Sequence, residues 1–504
     1  MISRILGFVR DMVFARIFGA DAATDAFFVA FKIPNFLRRL FAEGAFAQAF
    51  IPVLTDYKEN KSTEELQLLI SKVAGTFSVV LLGITLSGVL AAPLIIMIFG
   101  PGFLGDDQKY QLAVEMLRFT FPYLFFIALT AFAGGILNSY GKFAVPAFTP
   151  VFLNVVLICA AVLISPNLDQ PVMALAWGVF IAGLVQLLFQ FPFLLRMKLL
   201  PRPRWGWRHP GVVKVRKLML PAIFGSSVVQ INLLFDTLIA SFLVTGSISW
   251  LYYSDRLVEF PLGLLGIALA TVILPKLSQD HATASPEKFS ATLDWALRFA
   301  FLIGLPAATG LVILAAPMIA TLFYGGAFTA EDVYLSSLSL MAYASGLMGF
   351  IFVKVLAPGF YARQDTKTPV KIGIQAMVAN MVLNVLFVTP LYMMDFKGAH
   401  TGLALATAAS AYLNAFLLFR TLRKQNYYQP QPGWWKVTAQ VGISCTAMAG
   451  LLLYLNPPIE IWLQWTTLER AGALAFGIAV GFFCYLLVLL LTGVKLKALL
   501  KSES

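Results

Sequence analysis

The chain is 504 residues long, 59% apolar and only 12% charged, with a mean hydropathy of +0.81. That composition excludes a soluble globular domain and a disordered chain, and leaves a polytopic membrane protein. The formal net charge of +12 would suit a nucleic-acid binder, but the basic residues recur in loops between apolar stretches, so they follow a membrane and no nucleic-acid partner is expected.

The apolar stretches reach about 20 residues and are broken by Gly, Pro and charge clusters, which predicts spanning helices rather than the short alternating strands of a barrel. About fourteen are predicted. A first half holds 2–19, 23–57, 69–99, 110–140, 144–165 and 171–197. A second holds 213–245, 248–279, 288–324, 331–362, 368–391 and 399–424, and an extra pair follows at 434–455 and 467–493. The first stretch, from Ile2 to Phe18, carries Arg4, Arg10, Asp11 and Arg16, which is no pattern for a cleavable signal. The second is too long to be straight, and Pro34 is its expected bend. Lys and Arg crowd one set of loops and the C-terminal tail, while only Lys109, Lys397 and Arg470 fall to the other set. This asymmetry places both termini in the cytoplasm.

Two stretches repeat each other. Ala91-Ala92-Pro93-Leu94-Ile95 with Phe99 and Gly102 recurs as Ala315-Ala316-Pro317-Met318-Ile319 with Phe323 and Gly326. Phe50 to Leu54 matches Ile273 to Leu277, and Pro146 matches Pro369, at nearly the same offset. The fold expected is therefore all-α, with two pseudo-symmetric six-helix lobes in parallel repeat plus two C-terminal helices. An even number of helices per lobe sets the pseudo-twofold axis along the membrane normal. The N-lobe is residues 1–200, a basic cytoplasmic linker 201–212, the C-lobe 213–425 and the extra pair 434–493. The basic loop from Arg196 to Lys217, with Trp205 and Trp207 interleaved, reads as an anchor to anionic lipid.

Enzyme chemistry finds no residues to carry it. His209, His281 and His400 fall in or beside loops without metal-ligand spacing. Cys159, Cys445 and Cys484 are scattered through apolar stretches and suggest neither disulfides nor a metal cluster. Gly100-Pro101-Gly102-Phe103-Leu104-Gly105 formally fits a dinucleotide pattern, but lies between spanning helices without the strand that pattern requires. No bound cofactor is expected, and transport remains.

The intramembrane charges describe the cargo. A cation near the bilayer centre costs from about 3 to more than 10 kcal/mol. Yet Arg4, Arg10, Arg16, Lys32, Arg38 and Arg39 lie in the first 45 residues, where Asp11, Asp25 and Glu43 are the possible internal partners. An excess that pairing cannot cancel implies a wet cavity and an anionic guest. Arg4 and Asp11 share a helix face, whereas Arg10 points elsewhere. Further on, the two acids Asp255 and Glu259 stack directly, with Arg256 three residues before Glu259. Arginine's planar fork binds phosphate oxygens in pairs, which makes Arg4, Arg10, Arg38 and Arg256 the candidates for that guest. Ion pairing between helices is the equal alternative for Asp11, Asp255 and Glu259. Arg16 and Arg39 could snorkel to the interfaces, and Lys32 beside the bend is open between the two. Asp294 and Arg298, near a helix end, are expected to reach headgroups. Asp236, Asn380 and Asn384 offer the oxygen ligands that a sodium ion selects, with a contact between helices as the alternative; sodium or proton coupling follows.

The run Arg4-Ile-Leu-Gly-Phe-Val-Arg10-Asp11, then Thr24-Asp25-Ala-Phe-Phe-Val-Ala-Phe-Lys32-Ile-Pro34-Asn35-Phe-Leu-Arg38-Arg39 and Ala42-Glu43-Gly44-Ala45-Phe46, resembles the MurJ (MviN) family of lipid II flippases. Ser254-Asp255-Arg256-Leu-Val-Glu259-Phe-Pro261 is similar to that family's second characteristic block. The resemblance implies the fold of the multidrug/oligosaccharidyl-lipid/polysaccharide exporter superfamily, a cationic central cavity, and a groove on the last two helices for the undecaprenyl tail. Position by position, it implies Arg4, Arg10, Arg38 and Arg256 as cavity arginines, Asp25 and Glu259 as their acidic partners, and a sodium site to which Asp236 contributes, with Asn384 where some members have an acid. It implies a segment ahead of Met1, a bacterial cytoplasmic-membrane location, and export of a peptidoglycan precursor by alternating access. Lipid II, membrane lipids and the cell-wall synthesis machinery are the partners expected. The main alternative is a cation-coupled multidrug exporter of the same superfamily, which would line its pocket with acids and aromatics. A membrane-bound transferase acting on the same lipid is a second, and would need a catalytic acid or carboxylate pair that does not stand out.

Overall fold

The computed structural model describes residues 2–40, 46–283 and 285–494. Among them the backbone is helical, with one isolated bridge between Gly325 and Phe328 and no strand. Ten helices among the described residues, from Thr63–Leu90 to Thr467–Leu491, are long and apolar enough to cross a membrane. The chain forms two compact units, Met1–Ser249 and Trp250–Ser504. The helix Pro210–Ser241, placed in the C-lobe by the repeat, packs within the first unit against Phe46–Asn60.

In the first unit, the Asp21 carboxylate accepts the Thr24 amide at 2.7 Å and starts the helix Ala22–Arg38. This helix continues through Pro34. Proline has no N–H to offer the carbonyl four residues back, and the Thr120 hydroxyl donates to that Ala30 oxygen instead, at 3.0 Å. Residues 41–45, Glu43 among them, lie outside the described residues. The helix resumed at Phe46 fills the interior with rings: Phe46 stacks on Phe77 at 4.4 Å and Phe50 meets Phe132 at 4.9 Å. Such pairs add about 0.5–1.5 kcal/mol each beyond burial. The Gly100 to Gly105 pattern is a packing device. The Gly102 amide donates to Ser241 Oγ at 3.1 Å, and a Cβ at Gly102 would overlap the Ser241 backbone.

In the second unit, the helices Trp434–Leu455 and Thr467–Leu491 pack on each other and are tied down by polar side chains. Arg470, expected in an outer loop, is buried; it donates to Ala320 O at 2.7 Å and Tyr324 O at 3.4 Å, at the C-terminus of Ala315–Phe323. A cation suits the partial negative charge there. The Tyr485 hydroxyl donates to Leu302 O at 2.6 Å. Asp294 and Arg298 also depart from expectation, since neither reaches outward for headgroups. Asp294 Oδ1 accepts from the Tyr428 hydroxyl, the Gln431 amide and Trp434 Nε1, at 2.8, 3.0 and 2.7 Å. Arg298 Nε donates to its other oxygen at 2.7 Å. A carboxylate buried in apolar surroundings requires donors of this number, and the segment ahead of Trp434 supplies them. His400 is likewise an interior residue, its Nε2 at 3.1 Å from Leu335 O and its ring against Trp250 at 5.0 Å.

Candidate functional site

The charged residues of the first unit fall into three environments. Arg10 and Asp11 are both buried on the helix Ile2–Phe18. Arg10 Nε and Nη2 donate to Asp11 Oδ1 at 3.0 and 2.6 Å, and Nη1 donates to Asn154 Oδ1 at 3.1 Å. The helix-face argument had set Arg10 apart from Asp11 and matched the latter with Arg4. The pairing is between neighbours because the long guanidinium side chain folds back over the backbone, braced by Asn154, whose own amide reaches Ser3 O at 2.9 Å. Arg4 is exposed and has no ion pair among the described residues. Arg16, for which snorkelling was open, turns Nε and Nη2 inward without a hydrogen-bond partner among the described residues.

Asp25 is the second environment. Its carboxylate takes Lys109 Nζ at 3.1 Å and the Gly246 amide at 2.8 Å on one oxygen, and the Ser249 amide and hydroxyl at 3.0 and 2.7 Å on the other. The donors that hold Asp25 are thus Lys109 and the Gly246 to Ser249 segment, where the resemblance implied arginines. Lys109 stands within the helix Asp107–Thr120, capped by Asp106, and not in an outer loop. Lys32, Arg38 and Arg39 form the third environment, half-buried around the end of Ala22–Arg38, with Arg38 Nε donating to Asn35 Oδ1 at 2.8 Å. Asp236 is half-buried on Pro210–Ser241.

In the second unit, Arg256 Nη1 donates to Glu259 Oε2 at 2.8 Å, the ion pair that the sequence left as the alternative reading for Glu259. Arg256 Nη2 reaches the Tyr252 hydroxyl at 3.2 Å, with the guanidinium 4.9 Å from that ring's centre. Asp255 is exposed on the same helix. Asn380 and Asn384 are fully buried: the Asn384 amide donates to Asn380 Oδ1 at 3.0 Å, and Asn380 faces Thr407 and Ser410 at 3.4 and 3.5 Å. Amide and hydroxyl oxygens are of the kind a hard cation selects. No group of three His, Cys, Asp or Glu gathers among the described residues. Sequence reasoning missed Lys109, Ser249, Asn154 and Tyr252. Asn154 had a signal, a lone amide in an apolar helix, and Tyr252 stands one turn from Arg256.

A family model described as lipid II flippase MurJ matches residues 14–467. The chain belongs to the lipid II flippase MurJ family. A Vibrio cholerae relative named a probable lipid II flippase MurJ is 52% identical, over 99% of this chain and 95% of its own. Among solved structures, a MurJ lipid II flippase in an inward closed conformation matches with a TM-score of 0.79 at 28% identity, over 96% of each chain. An inward-facing multidrug transporter of the MATE family matches at 0.67 and 15% identity, over 84% of this chain and 94% of its own, which shows shared fold alone. MurJ proteins are carriers, not a family of catalytic enzymes, and this MurJ family member is a multi-pass membrane protein.

Proposed function

We propose that this chain moves lipid II from the cytoplasmic to the outer leaflet of the bacterial cytoplasmic membrane. The observation that carries the reading is the family match from residue 14 to residue 467. Lipid II joins a pyrophosphate, a sugar-peptide headgroup and a long isoprenoid tail, so unaided crossing would drag charge through hydrocarbon. Arg4, Arg38 and Arg39 in the first unit, and separately Arg256 in the second, are guanidinium forks suited to a phosphate group. Arg10, gripped by Asp11 and Asn154, joins them once released or acts by shaping the helix that carries Arg4. Lys32 adds charge, and Asp25, Asp255 and Glu259 restrain cations between transport events.

Alternating access is driven by the membrane potential, which favours outward movement of anions by about 2.3 kcal/mol per charge per 100 mV, so no nucleotide hydrolysis is needed. A sodium ion or a proton is the coupling ion in this reading; within the second unit Asn380 and Asn384 offer amide oxygens to sodium, and Asp236 in the first offers a carboxylate. Both termini are cytoplasmic, and the cell-wall synthesis machinery receives the product. The test is a reconstituted flipping assay with lipid II and a drug cation side by side. Potential-dependent movement of lipid II is expected; movement of the cation alone would transfer the chain to drug export.

A further inference from the structure

The segment joining Met173–Arg196 to Pro210–Ser241 is a docked strap. The Arg204 amide donates to Ser71 O at 3.0 Å and the Gly206 amide to Thr76 Oγ1 at 3.0 Å, while Lys72 Nζ donates to Trp205 O at 2.8 Å. All three anchors lie on the helix Thr63–Leu90. That helix offers Gly75 at the crossing, where any Cβ would overlap the Arg204 backbone. With its backbone turned to the protein, the strap presents its side chains outward. Trp205 and Trp207 lie parallel, 5.9 Å apart and 5° from coplanar, and are 55% and 42% exposed. Arg216 braces the pair from beneath, its guanidinium 4.2 Å from the centre of the Trp207 ring. Arg202, Arg204 and Arg208 are exposed around them.

Two large apolar rings held rigidly in the open are uncommon on a water-facing loop, because each leaves a broad apolar face in water. Indoles do settle where hydrocarbon gives way to headgroups, and guanidinium groups pair with phosphate there. The flanking helices point the same way, since Leu195, Leu218 and Leu220 are exposed just beyond each end of the strap. An apolar surface turned to lipid thus continues into an aromatic step with a basic rim.

We propose that the strap from Pro201 to His209 is a binding plate for the anionic phospholipid surface: the Trp205–Trp207 pair inserts at headgroup level while Arg202, Arg204 and Arg208 take lipid phosphates. Its backbone hydrogen bonds make it an anchored fixture, so membrane engagement fixes the end of Thr63–Leu90 that holds it.

The test uses the full chain in phosphatidylcholine vesicles containing phosphatidylglycerol brominated near the headgroup end of its acyl chains. Subtracting the emission of a Trp205→Phe/Trp207→Phe variant isolates the two indoles from the other seven of the nine Trp. Brominated phosphatidylglycerol should quench that difference signal at least twofold, and each Arg→Gln change at 202, 204 or 208 should raise the phosphatidylglycerol fraction needed by about fivefold. The single Arg variants leave the indoles in place, so misfolding of the double aromatic variant would not spare the proposal. An unquenched signal would overturn it, as would equal quenching by brominated phosphatidylcholine that the Arg changes do not alter. Relief of quenching by inorganic phosphate, with no effect from chloride at equal ionic strength, would assign the arginines to a free anion and overturn it too.

Discussion

Lys109 Nζ stands 3.1 Å from Asp25 Oδ2, with 7% and 2% of the two side chains exposed. Removing one partner of a buried pair strands the other charge and costs about 3–5 kcal/mol, more than the pair itself contributes. Lys109→Met should therefore lower thermal stability in detergent strongly. The double change Lys109→Met/Asp25→Asn should recover part of that loss, since no charge is left buried and the amide oxygen still accepts from the Ser249 amide and hydroxyl, while the donor from Gly246 is lost. A double variant as unstable as the single one would show that the charge balance is not what Lys109 provides.

Arg10 serves two purposes that mutation can separate. Arg10→Ala leaves Asp11 buried without its main donor, so both lipid II export and stability should fall. Adding Asp11→Asn should restore stability by about 2 kcal/mol or more; export that stays lost would mark Arg10 itself as needed for transport. Arg10→Lys keeps charge but loses the fork, and should restore export only in part. Complementation of precursor export, measured beside melting temperature, reads both.

Arg256 and Glu259 are a partly exposed pair with 32% and 48% of their side chains accessible. Such a pair is worth about 0.2–1 kcal/mol, so Glu259→Gln should leave melting nearly unchanged. Export should nonetheless decline if Glu259 restrains Arg256, and Tyr252→Phe, which removes the 3.2 Å contact, should reproduce a milder form. Arg256→Ala should abolish export without loss of folded protein.

His209, just ahead of the helix Pro210–Ser241, is held below its ordinary value of 6.5 by burial and by the nearby Lys72 charge. A detached strap therefore takes up a proton more readily than a docked one as the pH falls below 6.5. Docking should be intact above that pH and weaken as the pH falls from 6.5 to the depressed value, below which the loss levels off. Hydrogen exchange at the Gly206 amide, corrected for intrinsic pH dependence, should accelerate on acidification, and His209→Gln should flatten the response.

The all-helical fold was legible because spanning helices announce themselves by length and apolarity, and Arg256 and Glu259 because a three-residue spacing within one helix needs no tertiary knowledge. Arg10 with Asp11 was not, since adjacent residues ordinarily diverge and Asn154, from a remote helix, helps to turn the guanidinium back. Lys109 was misplaced by a boundary: the Asp106 cap starts its helix earlier than hydropathy does. Asp294 finds its donors in a segment more than a hundred residues on, a match no local pattern contains.

The hydroxyl of Thr120 has a consequence for how the chain is made. Ala22–Arg38 leaves the ribosome before Asp107–Thr120, and until the later helix arrives the Ala30 carbonyl behind Pro34 has no donor. In lipid such a bare carbonyl is costly. Thr120 thus ties the earlier helix to the later one, and the turn at Pro34 gains this donor only once both are in place.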